Sequence, residues 1–155
     1  MYCDNFLLVS GAISAAGVVS GQTVTGASSV LSTNTVDLGQ ARDMGSGEDF
    51  YARAQVLTAF TGLTALEIQA IVADDAALSS NVTVVGSTGA IPVASLTAGA
   101  RFAWEINPRI ASKGQRYLGV RYVPTGTGTA GAVFADFGIE IQDGQKFYPA
   151  GFSVL

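Results

Sequence analysis

The sequence predicts an all-β, single-domain protein, an antiparallel β-sandwich of jelly-roll type with about eight strands and an extended N-terminal arm. Three observations carry this. Apolar and other residues alternate with a period of two in run after run, as in strands that bury one face. The 155 residues include 19 glycines, which separate those runs with turn-forming positions. No convincing helical segment intervenes between the runs, as a parallel α/β sheet would require.

Residues 1–31 are rich in Gly, Ala, Ser and Thr and show no sustained period. They form the arm, with a short strand expected near Gln22-Thr23-Val24-Thr25. Two readings stand side by side: the arm becomes ordered on a partner, or it supplies an edge strand to its own domain. The jelly-roll domain then spans 32–155. Its texture changes at Ser32-Thr33-Asn34-Thr35-Val36-Asp37-Leu38-Gly39, and Gln40–Asp49 follows as a polar, exposed loop.

Phe50–Thr58 reads as a half-buried strand, with Phe50, Ala52, Ala54 and Val56 on one face and Tyr51, Arg53 and Gln55 on the other. Thr61-Gly62 is expected to turn the chain into Thr64–Ala73. Ala65, Leu66, Glu67 and Gln69 favour helix there, but the alternation of Leu66, Ile68, Ala70 and Val72 suits a strand better. After a loop from Asp74 to Asn81 come short strands at Val82–Val85, Ile91–Leu96 and Arg101–Ile106, with Pro92 at an edge or a strand start. Arg116–Val123 alternates again. Pro124 closes it before a flexible tip, Thr125-Gly126-Thr127-Gly128-Thr129, and Ala130–Ile141 is the last long strand. The apolar, aromatic tail Lys146–Leu155 is expected to pack on the sandwich or on a neighbour.

Composition narrows the function. The chain is 48% hydrophobic and only 13% charged, with mean hydropathy +0.38, so it folds around one core and some apolar surface is expected to meet another chain. Twelve carboxylates against eight basic residues give a net charge of −4, and no cluster of Lys or Arg favours nucleic acid. The stretch from Phe6 to Ala16 resembles a signal peptide, but Asp4 and the absence of Lys or Arg before it argue against secretion. No run reaches the length of a membrane span. A lone cysteine, Cys3, forms no internal disulfide and reads as a small residue near a terminus.

No enzyme is expected. With no histidine, the many serines lack their usual activating base, and neither Lys113 nor Lys146 is spaced as a substitute. Asp74-Asp75 and the group Asp37, Asp43, Glu48 and Asp49 lack the calcium-loop pattern and read as solvated loop charge. No phosphate-binding loop occurs. Catalytic, cofactor and metal residues are therefore none.

What remains is a binding surface. Arg101, Arg109, Arg116 and Arg121 cluster in sequence, and Arg116 and Arg121 flank a strand carrying Tyr117 and Tyr122. They suit either a protein interface or cross-strand ion pairs with Glu105 or Glu140. The candidate interface comprises Phe6, Leu7 and Leu8 of the arm, Arg116, Tyr117 and Arg121, and Phe147, Tyr148 and Phe152 of the tail. Trp104 and nearby tyrosines could stack on a sugar, but Trp104 shares strand parity with Phe102 and Ile106, which places it in the core.

An ordered set of motifs adds to this. Ser32–Gly39 followed by Ala41-Arg42-Asp43-Met44-Gly45-Ser46-Gly47-Glu48 resembles the opening of capsid cement proteins of tailed bacteriophages, the kind on Bordetella podophage heads. Asp74-Asp75 leading to Ala77-Leu78-Ser79-Ser80, Ile91–Leu96, Gly99–Phe102 and Gly114–Tyr122 are similar to later motifs of the same family. The resemblance covers about residues 32–141, and the Gly/Ala/Ser-rich arm is longer than its pattern. It implies a jelly roll, made in the host cytoplasm, that binds the outer surface of the head and clamps major capsid protein subunits. It also implies a homo-oligomer, a dimer being favoured over a trimer. The alternative is a carbohydrate- or receptor-binding jelly-roll module of a virion.

Overall fold

The fold was obtained as a computed structural model, which describes residues 6–39, 50–106 and 115–138. Cys3, the carboxylates of the 40–49 loop, Arg109, Lys113 and the tail with Phe147, Tyr148 and Phe152 lie outside the described residues. In chain order the strands are β1 (Leu8–Ser10), β2 (Ala12–Ile13), β3 (Val19–Ser20), β4 (Gln22–Thr23), β5 (Val30–Leu31), β6 (Val36–Asp37), β7 (Tyr51–Ala73), β8 (Thr83–Pro92), β9 (Arg101–Glu105) and β10 (Tyr117–Gly138). A 3-10 turn, Val93–Ser95, follows β8.

The architecture is the expected all-β sandwich, made by folding one long sheet on itself. Strands β7 and β10 pair antiparallel over their whole length, from Tyr117 opposite Ala73 to Gly138 opposite Tyr51. The chain from β8 to β9 runs along the far side of β7, with Val72 opposite Thr83 at one end and Tyr51 opposite Glu105 at the other. The arm and β6 after it run along the far side of β10: Leu8 opposite Asp136, Thr23 opposite Ala132, Gly26 opposite Gly128 and Leu31 opposite Arg121, then Asp37 opposite Tyr117. Of the two readings of the arm, the edge strand describes its segments Leu8–Ser10, Gln22–Thr23 and Val30–Leu31, which pair with β10.

The sheet bends in the middle. Pairing of β7 with β10 shifts register between Thr125 and Gly126, between Gly126 and Ala130, and twice more before Val133. Gly62 and Gly126 sit there with φ of +85° and +92°, backbone conformations that a side chain would strain. The bend stacks two layers. One holds β1, β4, β9 and the adjoining halves of β7 and β10; the other holds β5, β6, β8 and the remaining halves.

The core between the layers follows the alternation: Ala52, Ala54, Val56, Val133, Ala135 and Phe137 from the first, and Leu66, Ile68, Ala70, Val72, Leu118, Val120 and Tyr122 from the second. The residues that β10 gives to the main core switch from even positions at Leu118–Tyr122 to odd ones at Val133–Phe137. The bulged segment between them accounts for the switch.

Four expectations are corrected. Thr61-Gly62 is no turn between strands, Pro124 ends no strand, and Thr125–Thr129 is no free tip, because all lie within β7 or β10. Gly and Pro are local turn signals, but here they accommodate bulges in a ladder that continues. Pro124 falls between Tyr122 and Gly128, where no pairing with the arm is made among the described residues. The two short strands expected at Val82–Val85 and Ile91–Leu96 are one strand ending at Pro92.

Both long sides of the sandwich close. Asn34 donates its backbone N–H to Val9 O at 2.9 Å on the arm side. On the opposite side, a Cβ added to Gly86 of β8 would lie 2.6 Å from Glu105 O and 3.1 Å from Trp104 Cδ1 of β9. Glycine is what lets those two strands approach.

Candidate binding surfaces

The register of β10 against β6 puts Arg116 beside Asp37, and their side chains meet in a bidentate pair, with Nε 2.5 Å from Oδ1 and Nη2 2.6 Å from Oδ2. Both side chains remain about half exposed. The guanidinium lies 5.3 Å from the centroid of the Tyr117 ring, within cation–π range. Arg116, assisted by the Gly39 N–H, holds the Asp37 carboxyl down to about 2 from an ordinary 3.8.

Arg121, four residues beyond Tyr117 on β10, stands opposite Gln69 of β7. It donates from Nε and Nη2 to Gln69 Oε1, at 2.9 and 2.6 Å. Gln69 Nε2 in turn donates to Glu67 Oε1 at 2.8 Å, which also accepts from the Ser87 hydroxyl at 2.6 Å. Those two donors, Ser87 before Gln69, lower the Glu67 pKa. A cross-strand ion pair is thus observed for Arg116, with Asp37 in place of Glu105, whereas Arg121 bonds to the neutral Gln69; Glu140 lies outside the described residues. Sequence spacing could not reveal either partner, because long-range register decides both.

The 74–81 loop has a structural task that its acidic sequence hid. Asp75 accepts from Ser79 N, Ser79 Oγ and Ser80 N at 2.7–2.9 Å, which lowers its pKa. The loop thereby delivers Leu78, with φ +55°, onto the outer face at Gly119, where a Cβ would collide with the leucine. Ile71, Ala73 and Leu78 form a second small core there, flanked by Leu31, Val82 and Tyr117. Buried Gln115 donates to Asn81 O and, at 3.2 Å, to Thr83 Oγ1. Residues from the motifs at 32–39, 74–80 and 114–122 thus converge on one patch.

In the arm, Phe6 is exposed, Leu7 is half-buried against the core and Leu8 is buried. Sequence reasoning missed the segment that follows. Residues 12–20 form the β2–β3 hairpin, which pairs only with itself, Ala12 opposite Ser20 and Ile13 opposite Val19. All nine residues are exposed. The signal was present in the sequence, since no charged residue occurs from Asn5 to Val36.

Two other groups serve the fold. Arg53 and Asp136, opposite each other in β7 and β10, form a buried bidentate pair with Nε–Oδ1 at 2.8 Å and Nη2–Oδ2 at 2.5 Å. Trp104 is 7% exposed and belongs to the main core with Ile106, as its parity indicated. Among the described residues no three carboxylates or cysteines gather as a metal site requires.

Comparison with models of protein families matches residues 18–137, most of the chain, to the family described as Bbp16. No curated protein matches the sequence.

Proposed function

The chain belongs to the Bbp16 family, whose name is that of a Bordetella phage protein, and from that premise we propose that it is a virion structural protein of the head. In this reading it is a cement or decoration protein that binds the outer surface of the major capsid protein shell and stabilises the DNA-filled particle. The observation that carries the reading is the family match over 18–137. The site chemistry supports it. Asp37, Arg116, Arg121, Gln69, Glu67 and Asp75 are bonded to one another or to the backbone, which gives a rigid, largely neutralised surface suited to contact.

Many weak, identical contacts in a repeated geometry stabilise a pressurised shell by multivalency, without catalysis. The protein acts as no enzyme in this account, and a homo-oligomer, with a dimer favoured, doubles the contacts per unit. The alternative of a carbohydrate- or receptor-binding module is less favoured, because Trp104 lies in the core and leaves only nearby tyrosines to stack on a sugar.

The test is co-sedimentation of purified protein with undecorated, expanded heads of its own phage. Saturable pelleting at a fixed ratio to the major capsid protein is expected. Absence of pelleting at any protein concentration would contradict the reading.

A further inference from the structure

The β2–β3 hairpin contributes nothing to the interior. Neither Ile13, Val18 nor Val19 belongs to a core cluster, and they are 39%, 64% and 45% exposed. Only two other large apolar residues among the described ones are comparably exposed. Keeping three on one nine-residue element opposes the ordinary tendency of a soluble surface.

The hairpin is also preformed. Gly17 N donates to Ser14 O at 2.8 Å, and Gly17 has φ +76°, the αL position that closes a three-residue hairpin loop. Ser14 N donates to Val18 O at 2.9 Å and Val18 N to Ser14 Oγ at 3.1 Å. Its base is fixed where Tyr122 donates to the buried Ser10 hydroxyl at 2.7 Å, and where a Cβ on Gly21 would meet Ala132 at 3.1 Å. A rigid element loses little entropy on docking.

Charge identifies what it docks on. From Asn5 to Val36 the chain offers no ionised group, so a charge on the opposing surface would be desolvated there without a partner. The complementary surface is uncharged and apolar. Without Lys or Arg the hairpin has no means of holding phosphate, which disfavours nucleic acid and anionic lipid.

Resting on the head-binding reading above, we propose that the β2–β3 hairpin is the element that docks on the shell, seating Ile13, Val18 and Val19 against an uncharged apolar surface of the major capsid subunit. Docking through such a contact is insensitive to salt.

The experiment compares the wild-type chain with Val18→Asp and Ile13→Ser in co-sedimentation with expanded heads, at low and high salt, and in flotation with neutral phosphatidylcholine vesicles. Unfolding midpoints of all three proteins are measured alongside and are expected to coincide. Each substitution is expected to weaken head binding roughly tenfold or more, from the apolar burial lost, while wild-type binding is unchanged by salt. Wild-type binding that both variants retain in full would overturn the hairpin assignment and leave head binding standing. Wild-type protein that fails to bind heads would overturn both. Flotation with the vesicles, lost in Val18→Asp, would overturn the assignment in favour of a lipid surface.

Discussion

Val9 of the arm and Asn34, just beyond it, stand 25 positions apart, yet the backbone N–H of Asn34 donates to the carbonyl of Val9 at 2.9 Å. Val9 belongs to the edge of one layer and Asn34 follows the edge strand of the other, so this bond closes the side of the sandwich. The arm is thus a wall of the fold. A chain beginning at Ser32 would lack β1, β4 and β5 together with the buried Val9 and Val24. It is expected to lose its cooperative thermal transition in circular dichroism. Val9→Ala alone is expected to lower stability by about 1–3 kcal/mol in denaturant unfolding.

The bend makes its own demand. Gly131 has φ +150°, and a Cβ there would enter the Phe60 ring. Gly131→Ala is expected to destabilise the protein by about 1–3 kcal/mol. The loss should shrink in a Phe60→Leu background, where the clash is relieved. Equal losses in both backgrounds would show that the backbone conformation alone sets the requirement.

The buried pair Arg53–Asp136 predicts an asymmetry. Asp136→Ala leaves the guanidinium buried without its carboxylate and is expected to cost about 3–5 kcal/mol. Replacing both residues, Arg53→Met with Asp136→Leu, is expected to cost much less. Additive losses in chemical denaturation would contradict this account of the pair.

Asp37 predicts an acid limb. Its carboxyl is held near 2 against an ordinary 3.8 by Arg116 and the Gly39 N–H, so its ionised form favours the folded state. That contribution is complete above about pH 4 and is lost as the pH falls towards 2. A carboxyl-detected NMR titration should give Asp37 a midpoint near 2 in the wild type. It should return towards 3.8 in Arg116→Gln. An unchanged midpoint in that variant would remove the arginine as the cause.

These relationships explain how much the sequence disclosed. The core faces were legible wherever alternation was regular, as at Ala52–Val56, Leu66–Val72, Leu118–Tyr122 and Val133–Phe137, and Trp104 followed the same parity. Continuity through Gly62, Pro124 and Gly126 was illegible, because glycine and proline signal a turn locally whether or not the ladder resumes beyond them. The arm's two-residue pairings are too short for any period to emerge. Of the candidate surface, Arg116, Tyr117 and Arg121 were recognisable as residue types, but Asp37 and Gln69 became their partners only through the pairing of strands distant in sequence.

The central claim is that this chain sits on the outside of a phage head. Cryo-electron microscopy of heads assembled with and without the protein tests it most directly. Difference density on the outer shell surface, fitting the two-layer sandwich with the β2–β3 hairpin against a capsid subunit, is the predicted result. Saturated heads with no added external density, or density confined to the interior or the tail, would contradict it.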